Sequence, residues 1–113
     1  MTIKLKPEPE FVWPVKLTVP GKKEPAVLEA VEFRYMPLEE RTKFIQECKA
    51  LPVYEVLAKV VKGWGPRDVQ GESGDFLPYS PEALKTVLMN YDTAFGEFWT
   101  QWLEAHAESR IKN

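Results

Sequence analysis

From Phe11 onward apolar side chains recur at every second position: Phe11, Trp13, Val15, Leu17 and Val19 fall on one side of an extended chain, with Pro14, Lys16 and Thr18 on the other. A period of two is the signature of a half-buried strand. Pro14 has no N–H to give to a ladder, so this strand belongs at a sheet edge or turns position 14 toward solvent. Pro20-Gly21-Lys22-Lys23-Glu24-Pro25 is turn chemistry, because proline presets φ and glycine can take positive φ. The next run, residues 26–35, alternates from Val31 through Phe33 to Tyr35 with Glu32 and Arg34 opposite, whereas Leu28 and Ala30 have the other parity. Either Glu29 lies over the sheet edge or a bulge resets the register. A lone hairpin is marginal in water, so helices must cover its apolar face.

Pro37 opens a helical pattern in which Leu38, Phe44, Ile45, Cys48 and Leu51 share one stripe. Glu39 and Glu40 sit in its first turn, where the helix dipole favours anions. Pro52 ends it. A shorter helix comes next, with Val53, Val56, Leu57, Val60 and Trp64 on one face and Lys59 and Lys62 near its end. Its β-branched residues lower intrinsic helicity, which leaves a strand over residues 56–61 as the competitor. Residues 60–82 then read as a helix end, a long glycine-rich turn and a new helix start. Gly63 and Gly65 supply positive φ where the helix closes, Ser80 caps the next one and Pro81 suits its first position. Trp64, Val69, Phe76, Leu77 and Tyr79 would expose much apolar area in a solvated loop, so the turn is expected to fold back onto the core. Leu84, Val87, Leu88 and Tyr91 form the third helical stripe; residues 90–93 break it, with Asp92 able to cap the final helix. That last helix has the strongest period: Phe95, Phe98, Trp99, Trp102, Leu103, His106 and Ala107. Burying a large apolar side chain contributes ~1.5–3 kcal/mol, so the set is worth on the order of 10 kcal/mol before entropy is subtracted.

These elements predict an α+β fold, mostly α: an N-terminal β-hairpin followed by about four short helices. One domain spans residues 1–113, with residues 1–10 expected to fray and residues 108–113 a polar tail. The length suits a single core. Fifteen basic and seventeen acidic side chains leave a net charge of −2, without the basic field that phosphate backbones attract, so nucleic acid is not an expected partner. Cys48 is the single cysteine and cannot form an internal disulfide, and no apolar run is long enough for a signal peptide or a membrane span. A cytosolic protein is the expectation.

The search for chemistry returns little. His106 lies one turn past Trp102 with no cysteine or second histidine to share a metal, and reads as a packed or rim histidine. Cys48 sits on an apolar stripe and reads as inert core. Asp68, Gly71, Glu72, Gly74 and Asp75 invite a calcium-loop reading but lack the alternating ligands and terminal glutamate of such a loop. The glycines match no phosphate-cradling pattern. The expectation is therefore no metal, no cofactor and no catalysis. There remains an aromatic surplus: a domain this small is hard pressed to bury Trp13, Trp64, Trp99 and Trp102 together with seven or eight other large groups, so either the core is unusually aromatic, the commoner fate of any single tryptophan, or one stripe is left facing a partner, with the last helix the candidate for it.

Phe11-Val12-Trp13-Pro14-Val15 opening a hairpin, then Lys62-Gly63-Trp64-Gly65 with Asp68 and Gly71 or Gly74, then Leu77-Pro78-Tyr79-Ser80-Pro81-Glu82 leading into a helix, resembles the small tail assembly chaperones of long-tailed bacteriophages and prophages. The resemblance runs from about Phe11 to Lys112 and Asn113 and rests on the order and spacing of motifs that are individually common. Its structural residues are Trp13, Pro14, Gly63, Trp64, Asp68, Pro78 and Ser80; the insert around Asp68 is longer than the simplest version. The resemblance implies a protein of the host bacterial cytoplasm that binds the tape measure protein, a long, largely helical chain, and keeps it soluble while tail-tube protein assembles around it. It also implies possible homo-oligomers, absence from the mature virion, and this chain as the shorter of two forms related by ribosomal frameshifting. Phe95, Phe98, Trp99 and Trp102, with Trp64 and Phe76, are the contact candidates. The alternative is a structural head-tail connector or tail component of the virion.

Overall fold

The computed structural model describes residues 2–107; the expected polar tail and the end of the resemblance lie outside the described residues. The architecture is the expected α+β one, with twice as much helix as strand. Strand β1 (Glu10–Leu17) pairs antiparallel with β2 (Ala26–Arg34). The turn between them uses Gly21 at φ 78° and a Lys22 N–H to Val19 carbonyl bond of 3.1 Å. Helix α1 (Leu38–Glu47) runs into a short 3₁₀ turn (Cys48–Ala50), α2 (Val53–Val60) passes directly into β3 (Val61–Gly63), and α3 (Pro81–Asn90) and α4 (Ala94–Ala107) complete the order. Strand β3 pairs antiparallel with β2, so the sheet order is β1-β2-β3 and β1 is an edge strand, as Pro14 requires.

The parity conflict in β2 is resolved by a bulge. Trp13 faces Val31, but Val15 faces Leu28, so Glu29 and Ala30 together stand opposite Pro14. The extra residue returns Leu28, Val31 and Phe33 to one face, where they join Trp13, Val15 and Leu17 in the core. Val12 and Val27 point the other way and stay exposed.

Helices α2 and α4 cover the apolar face. From α2 come Val56, Leu57 and Val60; from α4 come Ala94, Phe98 and Trp102, all three at 0% exposure. Their spacing of four keeps them on one line along the helix. The Trp102 indole N–H donates to the Arg34 carbonyl at 2.8 Å and the Trp13 N–H to Gln101 Oε1 at 2.8 Å, so burial of both rings leaves their polar atoms satisfied. At the other end of α4, the Glu97 carboxylate accepts from the Thr18 N–H and from its hydroxyl at 2.6 Å, tying the helix to the end of β1. Helix α1 contributes one buried side chain, Phe44, packed on Trp99 and Trp102. Among the described residues no helix is long and apolar enough to cross a membrane.

Two expectations for residues 56–65 are corrected. The valine-rich segment is both elements in sequence, helix to Val60 and strand from Val61. Gly63 and Gly65 do not take positive φ; only Gly21 and Gly74 do among the described residues. The helix needs no left-handed cap, because Val61 turns straight into extended backbone at φ −93°, ψ 122°. By contrast, Ser80 caps α3 as expected, its Oγ accepting from the Ala83 N–H at 3.0 Å with Pro81 at the first position.

Candidate functional site

The motif residues of the loop after β3 build a clamp. Since Glu32 faces Gly63 in an antiparallel pair, the chain after Gly63 runs past Ala30 and Glu29, whose N–H groups the bulge leaves to be satisfied. Asp68 satisfies them: Oδ1 accepts from Glu29 at 2.8 Å, and Oδ2 accepts from Ala30 at 3.0 Å and from Gly65 at 2.7 Å. One carboxylate thus stands in for the missing length of strand. Gly65 is needed here for proximity, since a Cβ would lie 3.0 Å from Asp68 Oδ2 and 3.1 Å from the Ala30 Cβ.

Beyond the clamp, the Trp64 N–H donates to the Leu77 carbonyl at 2.8 Å and its ring meets Tyr79 edge-on at 5.0 Å. The Tyr79 hydroxyl donates to the Val61 carbonyl at 3.0 Å; burial, with Glu82 nearby, pushes its pKa up. Between these anchors residues 69–77 form a small hairpin. Leu77 N–H donates to the Val69 carbonyl at 2.7 Å, Gly71 N–H donates to the Asp75 carbonyl at 2.8 Å, and Gly74 turns the tip at φ 89°. The loop folds back as expected through Trp64, Val69 and Tyr79, but Phe76 is left 50% exposed and Leu77 also reaches solvent.

The six contact candidates divide into three groups. Phe98, Trp102 and Trp64 belong to the buried core, which corrects the expectation that they are available to a partner: at 0%, 0% and 9% exposure the chain's own side chains already cover them. Phe95 and Trp99 lie one position round the helix from the buried line and are only partly covered. Their rings stack at 5.9 Å with planes 15° apart, and Trp99 continues to Phe44 at 6.2 Å and Trp102 at 5.2 Å. Phe76 forms the third group alone, on its hairpin. The aromatic surplus is therefore smaller than composition suggests, because three of the four indoles are at 9% exposure or less.

His106 is held by both ring nitrogens. Met36 N–H donates to Nε2 at 3.2 Å, which leaves Nδ1 to carry the proton and donate to the Trp102 carbonyl at 2.8 Å. Phe11 meets the imidazole edge-on at 5.4 Å and Tyr35 stacks on it at 5.5 Å. Burial lowers its pKa below the ordinary value and Arg41 adds to this, against the opposing bond to Trp102. The geometry is that of a neutral joint between α4 and the chain entering α1. Cys48 is partly buried, and burial with Glu47 nearby raises its pKa against the weaker pull of Lys59, the reverse of the shift a reactive thiolate needs. Among the described residues no three histidine, cysteine or acidic side chains converge on a point that could hold a metal.

Sequence reasoning missed the partnership of Asp68 with the bulge; the parity slip opposite Pro14 was its only local signal. Compared with family models, with curated proteins and with solved structures, the chain finds no match in any of the three.

Proposed function

We propose that this chain is a non-catalytic assembly chaperone of the phage tail type, binding a helical stretch of the tape measure protein while tail-tube subunits gather around it. The observation that carries the reading is the half-covered Phe95 and Trp99 pair on α4. It is a stacked aromatic ledge beside Phe44, with a filled core beneath it. Aromatic side chains with one face open to solvent are the usual anchors of protein contacts, and a ledge along a helix suits an apolar stripe of a second helix laid against it. The order of motifs from Trp13 to Ser80 supports the same reading. A chaperone must release its client, and a ledge of two rings gives moderate affinity rather than a permanent complex.

The test is co-expression with the tape measure protein of the genome that encodes this chain. The expected result is a tape measure protein moved from the insoluble to the soluble fraction and co-purifying with the chain. Stoichiometric recovery of the chain in purified virions would overturn the reading in favour of a structural tail or connector component.

A further inference from the structure

The stacked rings of Phe95 and Trp99 continue to Phe44, and Phe44 is also a wall of a cleft of about 530 Å³ between α1, the end of α2 and β3. Met36 and Phe44 close that cleft from behind, but at 1% and 9% exposure they are already covered. What the cleft presents to solvent is charge: Arg34, Glu40, Lys43, Glu47, Lys59 and Lys62. The surface of the molecule therefore passes from aromatic to ionic across the width of one phenylalanine.

The charges in the cleft do not balance. Arg34 and Glu40 neutralise each other in a pair at 2.8 Å, which leaves Lys43, Lys59 and Lys62 against the single carboxylate of Glu47. All three lysines are exposed, and among the described residues none of them makes an ion pair. On a chain of net charge −2 the excess of cations is local, and it lies beside the ledge. Glu40 and Glu47 on the α1 wall interrupt the basic field, which suits spaced carboxylates better than a continuous row of phosphates.

We propose, resting on the chaperone reading of the ledge, that the segment seated there is an amphipathic helix whose apolar stripe is bordered on one side by glutamates or aspartates, and that Lys43, Lys59 and Lys62 hold those carboxylates. Acidic residues three and four apart share one helix face, so a row of them lies alongside the apolar stripe and comes over the cleft when the stripe is laid on Phe95 and Trp99. The lysines stay in water at the rim, where charge contributes selectivity and speed of encounter more than affinity. A client is thereby chosen by its acidic border and still released.

The experiment is fluorescence anisotropy of the full chain with three labelled helical peptides of about 20 residues, identical in their leucine stripe and bordered on one side by glutamates, by glutamines or by lysines. At ~0.15 M salt the glutamate peptide is expected to bind about tenfold more tightly than the glutamine peptide, and the lysine peptide most weakly. The differences should narrow at ~1 M salt, where the Debye length falls from about 8 to about 3 Å. Lys59→Glu with Lys62→Glu should reverse the order, and Lys59→Arg with Lys62→Arg should keep it. Both positions are exposed, and thermal melts check that each variant keeps the fold. Phe95→Ala with Trp99→Ala should weaken all three peptides alike, because it removes the apolar seat and leaves the lysines. Equal affinity for the three peptides, binding of none, a preference that survives the charge reversal, or tighter binding of a single-stranded oligonucleotide of the same charge overturns the proposal. The peptides contain no tape measure sequence, so loss of the charge preference leaves the chaperone reading to its own co-expression test, and failure of that test leaves the preference standing.

Discussion

Removing the Asp68 carboxylate should do more damage than its partly exposed position suggests. Three N–H groups converge on it, from Glu29, Ala30 and Gly65, at 2.8, 3.0 and 2.7 Å. Hydrogen bonds to a charged group contribute about 1.5–3 kcal/mol each when buried. These three share two oxygens near solvent, and water can replace part of the loss, so about 3 kcal/mol in all is the reasoned cost of Asp68→Ala. For a domain of this size about 4 °C of melting temperature goes with each kcal/mol, which gives a fall of ~12 °C. Asp68→Asn retains an oxygen for Glu29 but presents an NH₂ group where Oδ2 accepts two bonds, so it should lose most of the same stability. Glu72→Ala, a carboxylate exposed on the same loop, is the control and should stay within about 0.5 kcal/mol of the parent. Urea unfolding followed by tryptophan fluorescence reads all three. If Asp68→Ala unfolds with the parent's midpoint, the carboxylate is not holding the bulge and the structural account of the loop motif fails.

Gly65→Ala should cost about 1–3 kcal/mol by forcing its Cβ against Asp68 and Ala30, and in Asp68→Ala the same change should cost less, which a double-mutant cycle measures. Trp102→Ala should cost about 3–5 kcal/mol, leaving a cavity and an orphaned Arg34 carbonyl, against about 1–2 kcal/mol for the half-covered Trp99→Ala; equal losses would mean that the two rings share one environment. Because the folded pKa of His106 lies below its ordinary value of 6.5, the unfolded chain binds that proton more readily. Its effect on stability is absent well above that value and becomes a loss as pH falls through about 6.5. The urea midpoint should therefore decline from pH ~7.5 to ~5.5, and His106→Gln should flatten that part of the profile.

The hairpin, the bulge and the start of α3 were legible in the sequence because each is written in neighbouring residues: alternation from Phe11, the parity slip at Leu28, and Ser80 before Pro81. The passage from α2 to β3 was only half legible, since a run of valines fits a period of 3.6 and a period of two equally well and pairing with β2 decides. The burial of α4 was misread for a geometric reason. Its apolar stripe is wider than the sheet's footprint, and the line that docks is the one through Ala94, Phe98 and Trp102, anchored by a small alanine that no aromatic pattern points to. Phe95 and Trp99, about 100° further round, fall on the rim. The Asp68 clamp was not legible as a contact, because its strand partners are 38 and 39 positions away; the parity slip opposite Pro14 marks the bulge but does not say which residue satisfies it.

The most direct test of the chaperone reading alters the ledge and spares the core beneath it. Phe95→Ala with Trp99→Ala, co-expressed with the tape measure protein, should yield a folded chain that melts as one cooperative unit and no longer brings that protein into the soluble fraction. Undiminished capture by the double variant would contradict the account, since the client would then be gripped by some other surface.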